Sequence, residues 1–123
     1  MTNPFSVQRT LGGADTTRLV LEGYLDAFTA PLFERALQEE VDEGRLRLVV
    51  DGSRLSYISS AGLGVFMTFV GEVRDRGGDL KICGLSPRLR EVFDLLGFAT
   101  IFDLVEDADA AEGLFAAGSL RTG

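Results

Sequence analysis

"RLRLVVDGSRLSYISSAGLGVFMTFVGEVRDRGGDLKICGL", residues 45–85, is the stretch on which the fold turns. It opens with Arg45–Asp51, strongly apolar and β-branched towards its end, which is the composition of a central strand. Two serines and two glycines (Ser59, Ser60, Gly62 and Gly64) then precede a run of large apolar side chains. A helix is expected there from about Ser60 to Arg76, closed by Gly77-Gly78. "DLKICGL" follows as a second strand. Strand, helix and strand in that order imply a parallel pair joined by a right-handed crossover.

The flanks extend the same alternation. Upstream, "TTRLVLEGYLD" alternates Arg18, Val20 and Glu22 with Leu19, Leu21 and Gly23, a strand with one better-buried face. "FSVQRT" before it pairs as a hairpin through Gly12-Gly13. From Ala27 to about Glu43 the pattern is helical, with Phe33, Leu37 and Val41 on one stripe supported by Leu32 and Ala36. Pro31 belongs in the first turn, so this helix starts near residues 28–30, and Gly44 stops it.

Downstream, "SPRLREVFDLLG" carries Ser86 as N-cap, Pro87 at the first position and Gly97 as the stop. Its apolar face is Leu89, Val92, Phe93 and Leu96. A short strand "TIFDL" and a helix from about Asp107 to Ala117 complete the order. The sum is β-β-α-β-α-β-α-β-α: a single α/β domain over residues 1–123, with a small, mainly parallel sheet, an antiparallel N-terminal strand and about four helices.

Composition narrows the chemistry. The net charge of −7 argues against nucleic acid or an anionic membrane surface as the main partner. The absence of histidine removes Ser-His-Asp and Cys-His catalysis and most transition-metal sites. One cysteine, Cys83, excludes an internal disulfide and reads as a small buried residue; no metal or cofactor is expected. Apolar runs fall short of a membrane span and "MTNPFSVQRT" lacks a signal-peptide layout, so a cytoplasmic location is expected.

"SSAGLG" invites three readings. It matches neither glycine-rich phosphate motif and no lysine follows in place, so close helix packing explains Gly62 and Gly64 better than a nucleotide cradle. A nucleophile elbow needs glycine two before the serine, where Ile58 stands. Ser59 and Ser60 both suit a helix cap. The same position offers free N–H groups and a positive dipole end, so it also tolerates an added phosphate.

From "VVDGSRLSYISSAGLG" through "LGFATIFDL", with "GYLDAFTAPLFERAL" upstream, the chain resembles the STAS domain of bacterial anti-sigma-factor antagonists. The resemblance covers nearly the whole chain. It implies a regulated binding module, not an enzyme: a partner that is both anti-sigma factor and serine kinase is bound by the unmodified antagonist, which frees the sigma factor. Phosphorylation by that partner breaks the complex, and a PP2C-type phosphatase restores it. Matching on Gly62, Leu63 and Gly64 carries the phosphoacceptor role to Ser60. Where the family commonly has Asp the chain has Ser59, a second candidate acceptor, and Ala61 stands where a serine is often found.

The resemblance further implies a partner surface including Asp26, Asp51, Ser59, Ala61, Gly62 and Leu63, with both aspartates at loop ends on the side of Ser60. As ordinary residues, Asp26 is an N-cap and Asp51 a turn residue. Related domains also serve partner-switching pathways with other outputs, or as accessory subunits of lipid transporters. A nucleotide-binding enzyme is the remaining alternative from another class.

Overall fold

The computed structural model describes residues 4–117. The expectation of one domain over residues 1–123 therefore extends at both ends beyond the described residues. Strands β1 (Phe5–Leu11), β2 (Thr17–Leu25), β3 (Arg47–Ile58), β4 (Asp79–Cys83) and β5 (Leu104–Val105) form one sheet in sequence order. β1 is antiparallel to β2, and the remaining pairs are parallel. Helices α1 (Ala30–Asp42), α2 (Ser60–Asp75) and α3 (Pro87–Leu95) connect the parallel strands, and α4 (Ala108–Ala116) follows the last.

Successive right-handed crossovers in one direction put α1, α2 and α3 on the same face. The core there runs through a chain of rings, Phe33–Phe66 at 5.0 Å, Phe66–Phe93 at 5.8 Å and Phe93–Phe98 at 5.2 Å, each tilted edge to face. Leu19, Leu21, Leu48, Val50, Leu80 and Ile82 supply the sheet side of that layer. α4 covers the other face with Ala108, Ala111 and Phe115 against Val49 and Cys83.

Three charged clasps tie these layers together. The Glu40 carboxylate, buried under α1, takes Nε of Arg45 at 2.8 Å and Nε of Arg9 at 2.9 Å. Burial alone would raise its pKa, but the bonds and charges of the two guanidinium groups outweigh burial and hold it below the ordinary range. Glu112 on α4 accepts from Arg18 at 2.7 Å and from the Gly13 N–H at 2.9 Å, closing the helix onto the β1–β2 turn. Burial pushes Glu112 up, and the same two donors bring it below normal. Lys81, fully buried on β4, bonds Asp79 at 3.0 Å and Asp103 at 2.7 Å, with the Phe115 ring 4.6 Å from its nitrogen.

Four expectations need correction. β3 does not stop at Asp51 but continues to Ile58, because β2 goes on pairing with it through two register shifts after the β4 ladder has ended. "TIFDL" contributes only Leu104 to the two-residue β5; a turn of 3-10 helix at Phe98–Thr100 precedes it, and Phe98 and Phe102 are both buried in the core. Leu32 and Leu96, assigned to buried helix faces, are 47% and 55% exposed. Met67, in the apolar run of α2, is likewise 42% exposed.

Candidate functional site

β2 and β3 end side by side, Leu25 opposite Ile58, so the loops that follow them share one end of the molecule. Each residue of those loops has a distinct task. Asp26 organises the entry to α1: its Oδ1 accepts from the N–H of Phe28 at 2.9 Å and of Thr29 at 3.1 Å. Thr29 Oγ1 in turn accepts from the Asp26 N–H at 2.9 Å and donates to the Tyr24 carbonyl at 2.7 Å. Asp26 is thus a loop-closing residue that lies beside the start of α2. It is joined to it through the Ser59 N–H, which donates to the Leu25 carbonyl at 2.9 Å.

Ser59 is the N-cap of α2 by backbone conformation, with φ −101° and ψ 174°, and its carbonyl accepts from Leu63 at 3.0 Å. Its hydroxyl nevertheless makes no capping bond. Oγ is buried and has no hydrogen-bond partner among the described residues. A buried hydroxyl without a partner costs about 1–3 kcal/mol, so the helix start is held by something else.

That something is Gly62. A Cβ there would stand 2.7 Å from Leu25 Cγ and 3.0 Å from Ile58 Cγ1, so the first turn packs backbone-close onto the ends of β2 and β3. Gly64, by contrast, faces open space: a Cβ there meets nothing within 4 Å.

Ser60 is the first residue of α2 and is exposed. The amides of Ser60, Ala61 and Gly62 take no side-chain cap, and the first turn contains no acidic residue. A hydroxyl therefore stands in solvent next to unspent N–H donors at the positive end of a helix of 16 residues. That arrangement accommodates an anionic group on Ser60 Oγ without disturbing the packing beneath it.

The structure brings together Asp26, Ser59, Ser60, Ala61 and Leu63, and separates two of the other expected partner residues from that surface. Gly62 is buried against β2 and β3, while Ala61 and Leu63 are half-buried. Asp51 lies opposite Cys83, seven residues upstream of Ile58, which places it roughly 20 Å along the strand from the Ser60 end. Its Oδ1 accepts from the Ser53 N–H at 2.9 Å, the turn-type role, within the irregular part of β3.

Exposed aromatic residues are what the sequence reading missed. Tyr24 and Tyr57, 44% and 48% exposed, pair across β2 and β3 with ring centroids 5.8 Å apart. Phe28, in the loop after Asp26, is 89% exposed. Tyr24 continues the outward alternation of Arg18, Val20 and Glu22, a signal that was available. Tyr57 was hidden by the expectation that β3 ended at Asp51.

Cys83 is buried, and burial first, then the Asp51 charge, push its thiol up to about 12, far from a thiolate nucleophile. Among the described residues no cluster of acidic or cysteine side chains has the geometry to hold a metal ion, and no helix is long and apolar enough to cross a membrane.

The sequence profile of the STAS domain matches residues 10–111. "Putative anti-sigma factor antagonist BtrV" of Bordetella bronchiseptica is 40% identical over 95 residues, covering 77% of this chain and 82% of that protein. The anti-sigma-B factor antagonist of Bacillus subtilis is 35% identical over 85 residues, 68% of this chain and 76% of its own. Among solved structures, an anti-sigma factor antagonist from Mycobacterium paratuberculosis superposes with TM-score 0.79 at 22% identity, covering 88% of this chain and 91% of its own. SpoIIAA in its unphosphorylated form gives 0.69 at 20% identity over 94% of this chain and all of that one. Both curated relatives are named as anti-sigma factor antagonists. Profile, relatives and fold agree: the chain belongs to the STAS domain family.

Proposed function

We propose that this chain is an anti-sigma-factor antagonist whose binding is switched by phosphorylation of Ser60. In the unmodified state it binds an anti-sigma factor that is also a serine kinase and so releases the sigma factor. Phosphorylation ends the complex and a PP2C-type phosphatase restores it. The whole cycle belongs in the cytoplasm, with neither nucleic acid nor membrane as a direct partner.

The observation that carries this reading is the exposed Ser60 hydroxyl beside uncapped amides, on a helix start anchored by packing instead of by a cap. A phosphate there adds close to two negative charges to a surface where Phe28, Tyr24 and Tyr57 offer apolar contact. Desolvating that charge under a partner is unfavourable, and release follows from electrostatics more than from refolding. Ser59 remains the second candidate acceptor; its buried hydroxyl is badly placed to receive a phosphoryl group.

The test is binding to the cognate anti-sigma kinase by calorimetry. Ser60→Ala is expected to bind as tightly as the unmodified chain and to stay bound when ATP is added. Ser60→Glu is expected to lose on the order of a hundredfold in affinity, about 2.7 kcal/mol. Tight binding by Ser60→Glu together with ATP-driven release of Ser60→Ala contradicts the assignment.

A further inference from the structure

β3 outlasts β4. The β3–β4 ladder ends at Asp51–Cys83, whereas the β2–β3 ladder runs on to Leu25–Ile58. Residues 52–58 of β3 therefore have a strand on one edge only. Leu85 and Gly84 close the beginning of the other edge, against Gly52 and Ser53. Further along, the edge faces α3 across a groove of about 360 Å³ lined by Ser56, Tyr57, Ile58, Arg88, Leu89 and Val92.

A strand edge beside a helix, with an apolar gap between them, has the chemistry to receive one more extended chain. The outward N–H and C=O groups of the strand supply backbone bonds, and alternate side chains of the guest drop into the gap. The charge of the rim selects among guests. Arg88 is exposed and carries no ion pair among the described residues. The acidic residues of α3, Glu91 and Asp94, line a different depression with Pro87, Arg90 and Leu95, on the other side of the helix.

We propose that this groove binds an extended segment of a partner protein, pairing as a strand with Ser56–Ile58, seating an apolar side chain against Leu89 and Val92, and directing a carboxylate to Arg88. The groove adjoins the Ser60 surface and shares Tyr57 with it, but its recognition does not rest on the phosphorylation reading.

The experiment uses the full chain, isotope-labelled for NMR, and an N-acetylated, C-amidated hexapeptide of alternating glutamate and valine. Saturable shifts are expected in the amides of residues 56–58 and in the side chains of Leu89 and Val92, with slower amide exchange on β3. Replacing glutamate by lysine in the peptide, or Arg88→Glu in the protein, is expected to weaken binding at least about tenfold. A backbone N-methylated peptide is expected not to bind, and Ser60→Ala is expected to bind the original peptide like the wild type. Absence of saturable shifts up to millimolar peptide overturns the proposal, as does equal binding of the N-methylated peptide. Concentration-dependent shifts of the same residues without peptide also overturn it, by assigning the groove to a second copy of the chain.

Discussion

α2 and α3 both begin with serine in an extended backbone conformation, and they begin differently. At α3, Ser86 Oγ accepts from the Leu89 N–H at 3.3 Å and Pro87 removes one amide, so the helix end is finished by its own residues. At α2, Ser59 has φ −101° and ψ 174°, but its hydroxyl is turned inward and bonded to nothing described. The amides beside Ser60 stay open, and the turn is fixed by the Ser59–Leu25 bond and by Gly62 on Leu25 and Ile58. A helix anchored by its underside leaves its tip available for chemistry; a helix anchored by its tip does not.

Substitutions can break that contrast. Gly62→Ala should have the largest effect on folding, because the added Cβ sits 2.7 Å from Leu25 in a packed layer. A loss of about 2 kcal/mol is expected in urea unfolding. The same change at Gly64 meets open space and should raise stability by up to about 1 kcal/mol, through helix propensity alone. Equal effects at the two glycines would mean the first turn is not held from below.

Acid supplies a sharper separation, since neither serine start titrates while the clasps at Glu40 and Glu112 do. Both carboxyl groups have folded pKa values below the ordinary 4.5. Their stabilisation is complete above the unfolded value of about 4.5 and is lost as pH falls through the lower folded values. Melting temperature should therefore hold down to about pH 5 and decline below it, and Glu40→Gln should flatten that decline. An unchanged acid profile in Glu40→Gln would remove Glu40 from the account.

Smallest is the effect at the serines themselves. Ser86→Ala should cost about 1 kcal/mol as a lost cap. Ser59→Ala removes a buried hydroxyl that has no partner, and should change stability by less than about 0.5 kcal/mol or raise it. A larger loss at Ser59 than at Ser86 would make Ser59 the working cap.

How far these features were legible follows from where the determinants lie. The element order was readable because each helix carries its own period and its own stop; Gly44 and Gly97, at φ +75° and +77°, end helices where expected. The Ser86 cap was readable because capping is local. The course of β3 past Asp51 was not: "DGSRLSY" has the polar composition of a turn, and only pairing with β2 keeps it extended. Ending β3 at Asp51 placed that residue at the site, hid Tyr57 and concealed the open edge. Likewise, nothing local distinguishes the idle hydroxyl of Ser59 from the capping hydroxyl of Ser86. What fixes that helix start instead, the close approach of Gly62 to Leu25, comes from far away in the chain.

The central claim is tested most directly by mapping the phosphate. The wild-type chain, Ser60→Ala and Ser59→Ala are each incubated with the cognate anti-sigma kinase and ATP, digested and read by mass spectrometry. One phosphoryl group on Ser60 is expected in the wild type and in Ser59→Ala, and none in Ser60→Ala. A phosphate on Ser59, or one that persists in Ser60→Ala, would contradict the account.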